Sequence, residues 1–201
     1  MSQVNKEKKM IKIISKEWLT KKSACREGVE WFNNQKETDM VKVLNKLVKE
    51  DHWNWANWTI CRVFNYKQKV QYAVFSAEQV IDLYEKKYPN NKKPREAIEA
   101  AKKCIDNPSK ENKAYAATAA YAVAAAYAAY AAYAAADAAY AAYAAYAAYA
   151  AADAAYAADA ADAAAYAAAY AADAAYAADA ADARKNMRIK ILEYGIKLLE
   201  D

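Results

Sequence analysis

Apolar residues recur along the first 105 positions at the three-and-four spacing of helices that bury one face. In "SKEWLTKKSACREGVEWFNN", residues 15–34, Ser15 is placed to cap a helix start, and Trp18, Cys25, Val29 and Phe32 fall near one face. A second helix is predicted from Thr38 or Asp39, with Met40, Val41, Leu44, Leu47 and Val48 turned inward and lysines outward. The third is "HWNWANWTICRVF", residues 52–64. The fourth, residues 70–88, sets Val70, Ala73, Val74, Ala77, Val80, Ile81 and Tyr84 on one stripe and is stopped by Pro89, Asn90 and Asn91. Pro94 suits the first turn of a fifth, where its missing N–H costs nothing; Asn107 and Pro108 close it, and Ser109 can cap the next helix. Residues 184–201 return to an amphipathic pattern with Ile191, Tyr194 and Leu198 on one side.

Composition sharpens this into an all-α reading. Gly28 and Gly195 are the only glycines and Pro89, Pro94 and Pro108 the only prolines, too few to turn β-hairpins or to build a phosphate-cradling loop. One histidine, His52, excludes a two-histidine metal site within the chain, and among tryptophans it reads as structural. No catalytic motif and no cofactor fingerprint is present, so the chain reads as non-enzymatic. Cys25, Cys61 and Cys104 lack CxxC spacing and are expected as buried small hydrophobes in a reducing cytoplasm. The basic N-terminus has no uninterrupted apolar core, which predicts no export.

Between Lys113 and Arg184 the chain is alanine punctuated by tyrosine and aspartate. Seven aspartates give that stretch a charge of −7, so the remainder carries +11 to reach the net +4. Alanine makes helix the expectation, and no glycine or proline interrupts it. The spacer residues advance by about 3.2 positions against 3.6 per turn, so on one straight helix the rings would spiral around the rod. Shorter helices packed as hairpins are therefore predicted. The uncharged run from Ala114 to Ala136 is long enough to cross a bilayer, but tyrosines through its middle favour a soluble helix. The organisation read from the sequence is an amphipathic helical bundle over 1–112, an Ala/Tyr/Asp segment over 113–183 and a C-terminal helix over 184–201 that packs back on the bundle.

The stretch "WANWTICRVFNYKQKVQYAVFSAEQVIDLYEKKYPNNKKPREAIEAAKKCI" resembles a family of immunity proteins found in bacterial and phage genomes. Its members pair a Trp-rich, Arg-containing helix with a "YAVFAAE" helix and an "RPRxAIEAA" helix, followed by alanine-rich sequence bearing tyrosine and aspartate. Trp55, Trp58 and Arg62 match the first motif; Tyr72, Ala73, Phe75, Ala77 and Glu78 the second; Pro94, Arg95, Ala97, Ile98 and Glu99 the third. The family's acidic start before the third motif is replaced here by Asn90, Asn91, Lys92 and Lys93. The resemblance, over residues 50–183, implies neutralisation of a toxin or defence effector.

Arg62 and Glu78 each interrupt an apolar stripe, which predicts a salt bridge between the third and fourth helices or, with Arg95, a ligand-holding pair. Trp53 and Trp55 lie 200° apart on a helix, so one should fill the core while another is exposed as a contact anchor. The candidate partner-binding residues are Trp55, Trp58, Arg62, Glu78 and Arg95, together with Tyr140, Tyr143, Tyr156, Asp159 and Asp162 on an acidic tyrosine-rich face. The leading expectation is a cytoplasmic protein that neutralises or sequesters a protein partner. The alternatives are a sponge for a nucleotide, and nucleic-acid binding through Lys42, Lys46, Lys49, Lys67, Lys69, Lys92, Lys93, Arg95, Lys102 and Lys103.

Overall fold

The computed structural model describes residues 13–79, 81–112 and 181–200. Among these the fold is all-α, with no strand: the only extended pairing is an isolated antiparallel bridge between Ile13 and Asp39. The helices are α1 (Lys16–Lys21), α2 (Arg26–Asn33), α3 (Met40–Lys49), α4 (Trp53–Val63), α5 (Tyr66–Glu78), α6 (Ile81–Lys87), α7 (Lys93–Asp106) and α8 (Ala181–Glu200).

Local capping chemistry sets most of their ends. The Ser15 hydroxyl accepts from the Trp18 N–H at 3.2 Å, and Asp39 accepts from the Lys42 N–H at 3.0 Å, each satisfying a donor that the first helical turn leaves open. Asn65 and Gln68 form a reciprocal capping box that starts α5 four residues before the predicted position. Pro94 stands in the first turn of α7, and Ser109 caps the segment after it, accepting from the Asn112 N–H at 3.2 Å.

Two predicted helices are each split. The first divides at Ser23, which takes φ 59°. Its N–H donates to Thr20 O and the Ala24 N–H to Leu19 O, both at 3.0 Å, the paired bonds of a Schellman helix end. The fourth divides into α5 and α6. A second Schellman end closes α3, with Asp51 at φ 60° and the His52 N–H bonded to Leu47 O at 2.8 Å.

α5 packs most extensively against α7, while α8 lies across α3, α4 and α5. The core runs through Leu44, Ile60, Val70, Tyr72, Ala77, Ala97, Ile98 and Ala101, and α8 adds Ile191, Leu192, Ile196 and Leu198. Gly195 lets α8 approach closely: a Cβ there would sit 2.8 Å from the Tyr72 ring and 3.0 Å from Ile60. The Tyr72 hydroxyl donates to Asn57 Oδ1 at 2.9 Å, and burial pushes its phenol well above the usual range. The end of α8 is held by Gln68, whose amide donates to Leu198 O at 2.6 Å. The hairpin packing expected for the Ala/Tyr/Asp segment lies outside the described residues.

Candidate functional site

The turn at Ser23 swings α2 away from the line of α1, and a cavity of about 310 Å³ opens among α1, α2, α3 and α4. Its floor is aliphatic, from Ile14, Leu19, Val43 and Leu47, and its walls are the rings of Trp31, Trp55 and Trp58. Polar groups enter only through Ser23, Cys25, Asn54 and Thr59, a composition and size typical of small-ligand pockets.

The walls are braced from outside. His52 stacks on Trp55 with ring centres 4.3 Å apart and meets Trp31 edge-on at 5.9 Å. Trp31 Nε1 donates to Glu50 Oε2 at 2.8 Å. Trp18 supports Trp58 edge-on at 6.1 Å, and the Arg62 guanidinium lies over Trp58 at 5.3 Å. Such stacks and cation–π contacts hold rings in place before anything binds. At Gly28 a Cβ would stand 3.3 Å from Cys25 Sγ and 3.8 Å from Trp55, so the bare backbone keeps α2 close to this wall.

A second space of about 300 Å³ lies in front of the α4 start, lined by Asp51, His52, Trp53, Asn54, Trp55 and Arg188. Asn54 and Trp55 line both spaces. Here α8 contributes charge: Arg188 and Lys185 lie over the Trp53 ring at 5.3 and 5.8 Å, and Lys185 pairs with Asp51 at 3.6 Å. The cleft is thus cationic and polar where the cavity beside it is apolar.

Of the residues singled out by the sequence, Trp55 and Trp58 come together at the cavity. The remaining ones are placed differently. Glu78 does not bridge to Arg62; it holds Lys102 at 2.6 Å, tying α5 to α7, and Lys102 also meets Glu99 at 2.7 Å. Arg95 clips α7 to α6 through a two-pronged pair with Glu85 at 2.6 and 2.8 Å and a bond to Asp82 at 2.9 Å. The guanidinium holds the Glu85 carboxyl below its ordinary value. Arg62, Glu78 and Arg95 therefore have separate structural ties and form no ligand-holding pair. Tyr140, Tyr143, Tyr156, Asp159 and Asp162 lie outside the described residues.

Three further expectations need correction. Trp53, Trp55 and Trp58 are all half-buried, because each ring rests on a different neighbour instead of one filling the core. Cys25 is exposed as the residue preceding α2, whereas Cys61 and Cys104 are buried. Lys69, expected on a basic surface, is 3 % exposed, and desolvation pushes its ammonium below the usual range. Its place in the α5 stripe, one residue before Val70, is the signal in the sequence. Trp31 carries no such signal; it lies two positions from Val29 and becomes a wall residue only through the break at Ser23.

Most residues that carry the immunity-family resemblance are packing residues: Tyr72, Ala73, Ala77, Pro94, Ala97 and Ile98 are buried. Among the described residues no cluster of His, Cys, Asp or Glu could hold a metal ion, and no helix is long and apolar enough to cross a membrane. No protein-family model, curated protein or solved structure matches the chain.

Proposed function

We propose that this chain is a non-enzymatic cytoplasmic binding protein that sequesters a partner, as an immunity or phage counter-defence protein does, and that the partner engages the tryptophan-walled cavity. The observation that carries this reading is the cavity itself: about 310 Å³ of apolar space between three braced indole rings. Rings already held by neighbours lose little freedom on binding, so contact area converts efficiently into affinity. The cavity walls offer contact surface in place of a paired acid and base. The three free cysteines fit a reducing compartment. The family resemblance supports the same direction, through Trp55 and Trp58.

Nucleic-acid binding has less support. Of the lysines expected to serve it, Lys42, Lys46, Lys67, Lys92 and Lys102 each face a carboxylate within 4.0 Å, Lys69 is buried, and Arg95 is engaged by Glu85. Neutralised charges release few counterions from a phosphate backbone.

The test is purification of the full chain from its native host beside a Trp55→Ala/Trp58→Ala variant whose helicity and near-ultraviolet dichroism are checked. Co-purifying proteins and heat-released small molecules are both identified. A component carried by the wild type and lost at least tenfold by the folded variant is the expected result. Identical complements from the two proteins would overturn the reading.

A further inference from the structure

The apolar cavity and the cationic cleft share a wall made of Asn54 and Trp55. The two spaces differ in chemistry. One is bounded by Trp31, Trp55 and Trp58, and accepts a flat or aliphatic group that gains by leaving water. The other is bounded by Arg188, with Lys185 beside it, and accepts negative charge. Asp51 is the carboxylate that lines the cleft, and Lys185 meets it at 3.6 Å, so two cations from α8 face one acidic side chain there. The cleft also stands before the first turn of α4, where His52 makes no side-chain cap bond. An anion there gains from the helix dipole in addition to the guanidinium.

We infer that the two spaces form one bipartite site for a small aromatic anion, whose ring enters the tryptophan cavity and whose acidic group lies in the cleft at Arg188. This rests on the proposed sequestering role of the cavity and names the class of molecule it takes. Asn54 is exposed on the shared wall and serves as the divider that a ligand must pass. The acidic group is a phosphate or a carboxylate, and the two are separated by experiment.

Binding to the full-length protein is measured by calorimetry with indole, indole-3-acetate, adenosine monophosphate and inorganic phosphate. The expected result is that at least one aromatic anion binds tenfold or more tighter than both indole and inorganic phosphate. Indole-3-acetate in that place identifies a carboxylate head, and the nucleotide a phosphate head. Arg188→Gln should bring the preferred anion to within about twofold of indole and leave indole unchanged. Asn54→Asp is a second variant at an exposed position, which preserves folding; it should weaken the anion tenfold by repulsion and spare indole. If indole and the anions bind equally and neither variant discriminates, the anion inference is overturned while the cavity reading stands. If inorganic phosphate binds as well as the nucleotide, the site is not bipartite. If none of the four probes binds, the cavity reading fails together with the inference.

Discussion

Gly195 shows how one hydrogen atom in place of a methyl group decides a helix contact. By helix propensity alone, alanine in the middle of α8 would gain about 1 kcal/mol over glycine. The Cβ would, however, meet the Tyr72 ring at 2.8 Å and both Ile60 branches at 3.0 and 3.2 Å. Tyr72 cannot yield easily, since it is fully buried and its hydroxyl is fixed on Asn57. Overpacking of this kind costs about 1–3 kcal/mol and outweighs the propensity gain. Gly195→Ala is therefore expected to lower the unfolding free energy in urea by about 1–2 kcal/mol. An unchanged or raised midpoint would show that α8 does not sit against α4 and α5 in this way.

At the scale of elements, α6 and α7 are joined by the Arg95 pair more than by shared apolar surface. Replacing Arg95 by Met should cost about 1 kcal/mol at neutral pH, the upper range for a partly exposed pair with two-pronged geometry. Because Arg95 depresses the Glu85 carboxyl, the pair stabilises above the ordinary carboxylate pKa of about 4.3 and loses its effect as pH falls through the depressed value. The difference between Arg95→Met and wild type, measured by urea unfolding, should thus be present at pH 7 and vanish in strong acid. A difference that stays constant with pH would count against the ion pair as its source. The same scale explains which features are legible in the sequence. Asp39, Pro94, Ser15 and Asn107 mark helix ends through short-range chemistry, so those ends can be read. Ser23 and Asp51 cannot, because a left-handed residue at a helix end is normally announced by glycine, and here neither is one. Without the turn at Ser23 the cavity stays hidden. A continuous helix over 15–34 would have kept Trp18 and Trp31 on one rod with no space between rods. The cleft is equally hidden, since it joins Trp53 to Arg188 across most of the chain. Tryptophans and their motif are visible; the gaps they enclose arise only from packing.

For the molecule as a whole, α8 supplies the last wall of the core. Ile191, Leu192, Ile196 and Leu198 are all buried, and burying each such side chain is worth about 1.5–3 kcal/mol. Their sum is comparable to the roughly 5–15 kcal/mol by which domains are stable. A chain lacking residues 181–201 should retain much of its far-ultraviolet helix signal but lose near-ultraviolet dichroism, cooperative melting and the cationic half of the candidate site. A sharp melt at the wild-type temperature would refute this. The same arrangement has a consequence during synthesis. Gln68 and Leu198, joined by one hydrogen bond, are 130 positions apart, and at about 5–20 residues per second the ribosome needs roughly 6–25 s to pass from one to the other. Throughout that interval Ile60 and Tyr72 have been made but their cover has not. The nascent chain therefore carries an uncovered greasy stripe for seconds at a time, which makes it a natural client for chaperones, and slowing translation after α7 should increase the fraction that aggregates.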